Sequence, residues 1–352
     1  MRVPLHPWEK APRDVKVNNG AIILKADELN YNFVQATFPK NLLDRLHFIP
    51  CGKCMACRIN LAEQWSVRCA LELRSCSHAA FVTLTYDDDH LKYGYRINVK
   101  QRTVTPEPTL VKRDVQLFHK RLRKYCSERG VNIRYFGCGE YGSTTQRPHY
   151  HFIYFGLPDF PDRKLLNVRS VCSDSVKLYT SEILESLWSH GMVSIGEVNA
   201  ASISYVARYT TKKFRSSWLD DSDRSYFEDM REKIVSEFNS TVIEDDFLMM
   251  SRRPGLARLY YDQNSSDVYK FDKLIYAAPG SSVRIVRPLR YFDRLYDLDY
   301  PGQMHSIKTK RIYRAKLRES FEPQNNLTFF DRLNIADESA KVKSRKLPRV
   351  SF

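Results

Sequence analysis

The chain has 352 residues, 43% of them hydrophobic and 12% aromatic, which excludes a mainly disordered polypeptide and suits one large or two modest domains. Its 56 lysines and arginines against 41 aspartates and glutamates give a net charge of +15, a field that attracts a polyanion and makes nucleic acid the first candidate partner. No apolar run approaches the ~20 residues of a spanning helix, and the start Met1-Arg2-Val3-Pro4-Leu5-His6-Pro7 lacks the apolar segment of a signal peptide, so a cytoplasmic protein with no membrane partner is expected.

Residues 1–50 hold Pro4, Pro7, Pro12 and Pro39 with short apolar runs such as Ala21-Ile22-Ile23-Leu24, and predict an irregular arm with one strand. Residues 51–78 form a Cys-rich segment and a helix over 58–77. In a reducing compartment, Cys51, Cys54 and Cys57 with Cys69 as a fourth thiolate suit a structural zinc better than disulfides. No second Cys-x-x-Cys pair follows, so free or oxidisable thiols stand as the alternative.

Residues 79–86 are a β-branched and aromatic run, read as a buried strand stopped by Asp87-Asp88-Asp89. After a polar excursion holding Pro106 and Pro108, residues 110–129 have helical periodicity up to Gly130, with a basic outer face. Residues 132–139 and 148–155 then read as two strands joined by a loose turn. A short helix over 181–189, capped by Thr180 or Ser181, and a strand over 192–198 complete the pattern. Strand, helix, strand, strand, helix, strand predicts an α+β core over 79–215, an antiparallel sheet with helices packed on one face and the other face open.

Two clusters on this frame carry chemistry. A strand alternates its side chains, so His149 and His151 point the same way, with Glu140 beside them across the hairpin. Two imidazoles and a carboxylate suit a divalent ion that acts on a phosphoryl oxygen, although His-x-His on spacing alone is more often plain surface or core imidazole. In the helix over 201–213, Tyr205, Tyr209 and Lys212 fall within a ~60° arc. A packed aromatic stripe is the alternative. Lys212 and Lys213 continue the surface, and the helix follows directly from a sheet strand, which favours function. A phenol of pKa ~10 costs roughly 3 kcal/mol to ionise near neutral pH, which an ammonium and a metal can offset. The implied reaction is attack of a tyrosine oxygen on a phosphodiester, giving a phosphotyrosine and a free hydroxyl with no external energy source.

Phe81-Val82-Thr83-Leu84-Thr85, Pro148-His149-Tyr150-His151 and Tyr205-x-x-x-Tyr209-x-x-Lys212, in this order, resemble the three motifs of the HUH endonucleases that initiate rolling-circle replication. Pro50-Cys51-Gly52-Lys53-Cys54 with Gln64-Trp65, Gly139-Glu140-Tyr141-Gly142 and Tyr205-Val206-Ala207-Arg208-Tyr209 resemble more closely the replication initiators of gokushoviruses, small single-stranded DNA phages of the microvirus family. The resemblance spans about residues 50–215. It implies an HUH/RRM-like palm, a magnesium or manganese site at His149, His151 and Glu140, Tyr209 as the cutting tyrosine and Tyr205 as a second nucleophile. The cut strand would keep its 5′ end on tyrosine while its 3′ hydroxyl primes synthesis, at the phage origin, in the host bacterial cytoplasm.

No Gly-x-x-x-x-Gly-Lys-[Ser/Thr] loop occurs, so host helicase and DNA polymerase are expected partners. Residues 216–352 read as a basic C-terminal region with a helix over 226–238 and a hairpin made by 258–261 and 268–271. Its basic run over 308–316 suits DNA contact or a solvated helix face, and a flexible basic tail follows. Arg208, Lys213, Lys308, Lys310 and Arg311 are the cations expected on DNA. The resulting expectation is a metal-dependent, site-specific single-strand endonuclease and strand-joining enzyme. The alternatives are a non-catalytic zinc-containing nucleic-acid-binding protein and a relaxase or transposase relative.

Overall fold

The computed structural model describes residues 16–18, 21–23, 55–142, 145–166, 177–209, 221–321, 335 and 338–342. The chain divides into two units, Met1–Arg58 with Phe321–Leu347, and Ile59–Ser320 with Pro348–Phe352. In the first unit β1 (Lys16–Asn18) pairs antiparallel with β2 (Ala21–Ile23).

After α1 (Met55–Leu73) come β3 (Ala79–Thr85), β4 (Tyr93–Asn98), β5 (Thr103–Pro108), α2 (Lys112–Ser127), β6 (Arg134–Tyr141) and β7 (Pro148–Phe155). Then follow β8 (Lys164–Leu165), β9 (Tyr179–Thr180), α3 (Glu182–Trp188), β10 (Val193–Gly196), α4 (Ala200–Arg208), α5 (Asp221–Phe238) and β11 (Phe247–Met250). The chain continues through α6 (Arg258–Phe271), β12 (Leu274–Tyr276), β13 (Arg284–Val286), α7 (Arg290–Asp299) and α8 (Pro301–Phe321). No helix among the described residues is long and apolar enough to cross a membrane.

The central sheet runs β11-β6-β7-β3-β10-β9-β8, and each neighbouring pair is antiparallel. Alternation splits β7 between two layers: Tyr150, Phe152 and Tyr154 enter one core cluster, while Ile153 and Phe155 enter another. The first layer takes Val115, Phe118 and Leu122 of α2 with Leu184 and Trp188 of α3. Each large apolar side chain buried there stabilises the fold by roughly 1.5–3 kcal/mol. Ser181 caps α3, its hydroxyl accepting from Leu184 N at 3.2 Å.

The second face is not open, contrary to the expectation from element order. Ile203, Val206 and Ala207 of α4, together with Trp65 and Cys69 of α1, pack there against Phe81, Phe136, Ile153 and Phe155. Helices therefore cover both faces. The reason is that these strand positions are apolar for half the length of the face, and the i, i+3, i+4 stripe of α4 needs that surface. The other half carries Thr83, Thr85, Glu140, His149 and His151, and it is there that the site forms.

Two further expectations are corrected. The excursion around Pro106 and Pro108 is the β4–β5 hairpin, in which Tyr93 pairs with Pro108 and Tyr95 with Pro106; both prolines sit in a two-stranded ribbon, where a missing donor is tolerated. Residues 258–271, read as a hairpin, are the single helix α6. Its buried Tyr261, Val268 and Tyr269 share one helical face, and the polar run between them, which resembled a turn, faces largely outward. That face joins Val67, Ala70 and Leu71 of α1, Phe292 and Tyr296 of α7 and Met304 of α8 in a separate core cluster.

Candidate active site

Strand register brings the polar residues together. In β3, Thr83 stands opposite His151 and Thr85 opposite His149; in β6, Cys138 stands opposite His151 and Glu140 opposite His149. Directly paired residues share a face, so both histidines and the carboxylate look toward α4. That helix is fixed at its start by a reciprocal cap: the Asn199 side chain accepts from Ser202 N and the Ser202 hydroxyl accepts from Asn199 N, each at 2.9 Å. Tyr205 and Tyr209, one turn apart, then project over the strands.

The contacts form one connected cluster. His151 Nε2 lies 2.8 Å from Glu140 Oε1, with both side chains buried. The Tyr205 hydroxyl donates to the same Glu140 oxygen, and the Tyr209 hydroxyl donates to the Tyr205 oxygen at 3.1 Å. The Tyr205 ring meets His151 edge-on at 5.2 Å between centroids, and Phe81 stacks on the imidazole at 5.7 Å. Each histidine is held by a threonine: Thr83 Oγ1 is 2.9 Å from His151 Nδ1, and Thr85 Oγ1 is 3.2 Å from His149 Nδ1. Arg147 steadies the turn ahead of His149 by donating to the Tyr86 carbonyl at 3.1 and 2.7 Å and pairing with Asp88 at 2.8 Å. At Gly142 a Cβ would stand 3.2 Å from His149 Nε2, so glycine there leaves that nitrogen room.

The electrostatics follow from burial and neighbours. Burial first, then repulsion from His151, pulls His149 down to about 4 against the opposing pull of Glu140, so its imidazole is neutral at pH 7. Burial and then the charge and hydrogen bond of Glu140 push the Tyr205 phenol well above the ordinary tyrosine range. Its proton therefore stays on until something takes it.

The donor chemistry suits a divalent ion: a neutral imidazole, a second imidazole whose Nδ1 is likewise held by a threonine, and a carboxylate. Among the described residues, however, no three histidine, cysteine or acidic side chains are gathered closely enough to hold one. Glu140 lies against His151 and Tyr205, and binding an ion between His149, His151 and Glu140 requires that carboxylate to shift.

Lys212, Lys213, Cys51 and Cys54 lie outside the described residues. Cys69 is corrected as a zinc ligand. It is fully buried in the core, and burial raises its thiol, so it holds its proton; it also lies about three turns, ~18 Å along the axis of α1, beyond Cys57. Arg208 is half-buried at the end of α4. Lys308 pairs with Asp297 at 2.8 Å, Lys310 is exposed, and Arg311 bridges Asp272 and Asp293, donating at 2.9 and 2.8 Å. Thr83, Thr85 and Arg147 are site residues that sequence reasoning passed over. Two threonines at strand period opposite His-x-His were the signal for the first two.

Residues 79–214, which include every residue of this cluster, match the family model of the replication-associated protein ORF2. The chain is 32% identical over 305 residues to the replication-associated protein ORF2 of Spiroplasma virus 4, covering 84% of this chain and 82% of that protein. It is 36% identical over 184 residues to the replication-associated protein VP4 of Bdellovibrio phage phiMH2K, covering 50% of this chain and 51% of that protein. With the replication-associated protein ORF4 of Chlamydia phage 1 it shares 33% identity over 178 residues, 50% of this chain and 41% of that one. No solved structure matches.

Proposed function

Because the chain belongs to the family of phage replication-associated proteins, we propose that it initiates rolling-circle replication by cutting one strand of the phage origin with a tyrosine and later rejoining it. The observation that carries this reading is the convergence of two tyrosine oxygens on Glu140 and His151, groups supplied by a separate helix and hairpin.

The order of the contacts assigns roles. Tyr209 donates to Tyr205 and Tyr205 to Glu140, so a proton leaving Tyr209 has a two-step path. As the Tyr209 oxygen attacks phosphorus, its proton passes to the Tyr205 oxygen while that of Tyr205 passes to Glu140. The bond from phosphorus to the 3′ oxygen breaks, and the leaving oxygen takes a proton from water. The 5′ phosphate stays on Tyr209, and the 3′ hydroxyl is free to prime synthesis. Tyr205 supplies a second phenol for a later cut, and joining is the reverse attack by a 3′ hydroxyl. Magnesium or manganese held by His149, His151 and Glu140 would polarise the scissile phosphate. Lys212 and Lys213 follow α4 in sequence and add positive charge for the phosphate to meet. Without a phosphate-binding loop in the sequence, unwinding and synthesis fall to host helicase and polymerase.

The test is incubation with single-stranded origin DNA and Mn²⁺, followed by mass spectrometry of the DNA-linked peptide. The adduct is expected on Tyr209 or Tyr205. The double variant Tyr205→Phe/Tyr209→Phe should lose it and keep DNA binding; nicking retained by that variant would refute the assignment.

A further inference from the structure

Residues 270–290 lie outside the stretch that matches the family model and carry charge of nearly one sign. Lys270, Lys273, Arg284, Arg287 and Arg290 are all exposed, and none pairs with a carboxylate among the described residues. Asp272, the only acid in the segment, is bound by Arg311 at 2.9 Å.

Between these cations, β12 and β13 form an antiparallel ribbon with Ile275 opposite Ile285. Leu274 and Tyr276 are buried in the C-terminal core, so alternation turns Ile275 outward. Ile275 and Ile285 are 55% and 62% exposed, and Val283 beside them 68%. A lone exposed aliphatic side chain is ordinary, but three together on a ribbon flanked by unpaired cations make a surface of defined chemistry.

The turn of this ribbon reaches the tyrosine helix. The Pro279 carbonyl accepts from Ala200 N, the first residue of α4, at 3.0 Å. Ala278 packs against the core cluster that Tyr205 and Tyr209 also flank. Tyr205 lies ~8 Å further along the helix axis than Ala200.

We infer that the β12–β13 ribbon holds the unpaired DNA strand next to the tyrosine site, its cations taking phosphates and its aliphatic face packing on bases. The inference rests on the reading of the protein as one that acts on DNA. An unpaired strand fits better than a duplex, because a flat aliphatic face has apolar contact to make only with unstacked bases, while a duplex presents phosphates and polar base edges. A second copy of the ribbon fits poorly, because like charges would be opposed.

Fluorescence anisotropy of the full chain with a labelled single strand of ~30 nucleotides, in EDTA so that no cleavage contributes, tests this. Lys273→Ala/Arg284→Ala/Arg287→Ala should lower the slope of log Kd against log salt by about 2 and weaken binding at least ~10-fold near ~100 mM salt. Ile275→Ser/Ile285→Ser should weaken binding roughly 3- to 10-fold with the slope unchanged. Wild-type affinity in both variants overturns the inference, as does a duplex that binds equally well and loses equally. A wild-type dimer in sedimentation that Ile275→Ser/Ile285→Ser dissolves also overturns it. Ribbon-dependent binding without a tyrosine adduct on origin DNA supports the ribbon and sinks the cleavage reading instead.

Discussion

Thr83→Val is the sharpest probe of how the histidines are held. Valine keeps the shape of threonine and removes only the hydroxyl 2.9 Å from His151 Nδ1. His151 is buried, so no water readily replaces that partner, and an unmet buried nitrogen costs about 1–3 kcal/mol. A hydroxyl both donates and accepts, so Thr83 serves Nδ1 whether Nε2 carries a proton toward Glu140 or presents a lone pair to a metal; valine serves neither state. Loss of such a supporting partner weakens metal binding roughly 10- to 100-fold, or about 1.4–2.7 kcal/mol. Thr85→Val should do less, because its contact is 3.2 Å and His149 is only half-buried, so solvent can substitute. The assay is calorimetric titration of the full chain with Mn²⁺ without DNA, paired with the Mn²⁺ midpoint of single-strand cleavage. Thr83→Val should raise both midpoints together and Thr83→Ser should restore them. Unchanged Mn²⁺ affinity in Thr83→Val, or a serine variant as weak as the valine one, refutes the argument.

Other expectations concern stability. His119 is buried against Tyr135 at 3.9 Å between ring centroids, and neither ring nitrogen has a partner. His119→Phe should therefore stabilise the fold by roughly 1–3 kcal/mol, read as a rise in Tm. Burial pulls His119 down to about 3 and His149 to about 4, while unfolded histidine titrates near ~6.5. The unfolded chain thus binds more protons below ~6.5, and stability falls as pH drops through that window toward those values. His119→Phe should flatten the fall in melts taken between about pH 7 and pH 4.5, and a fall of wild-type steepness would remove His119 from the account. Arg311→Ala should cost about 2–4 kcal/mol, because it strands Asp272 and Asp293; Arg311→Lys should recover only part, since an ammonium cannot bridge both carboxylates as the planar fork does. Denaturant unfolding measures both, and a neutral alanine variant would overturn the anchoring role.

The strands and helices of the core were legible because their periodicity is local. The run Phe81 to Thr85, the alternation through His149 and His151, and the stripe Ile203, Val206, Ala207 each state a geometry that the fold keeps. Which face a helix covers is not local. The coverage of the second face depends on Phe136, Ile153 and Phe155 presenting apolar surface to α4 and α1, and those residues are scattered over two strands. The misread α6 has the same origin: Asp262 to Asp267 imitates a turn, and only burial of Tyr261, Val268 and Tyr269 on one side makes it helical. Within the site, the pattern proposed Glu140 as a neighbour of the histidines. That its Oε1 would also accept from Tyr205 was hidden, because this contact joins residues 65 positions apart.

The accuracy of the site is set from the side of the sheet that faces away from it. A slip of one residue between β6 and β7 would turn Glu140 and both histidines to opposite faces, so everything rests on that register. The register is locked by packing on the other layer. At Gly137 a Cβ would stand 2.0 Å from Phe152 Cδ1 and 2.4 Å from the His151 carbonyl, and at Gly139 one would stand 2.8 Å from the Phe247 ring. Only glycine lets these rings lie across β6, and the rings in turn hold β7 and β11 at fixed offsets along it. The spacing Gly137-Cys138-Gly139-Glu140 therefore binds two tasks into four residues: glycines that seat the core on one face, and a carboxylate delivered to His151 and Tyr205 on the other. A side chain at position 137 would touch no site residue's functional group, yet it would displace the strand that carries both imidazoles.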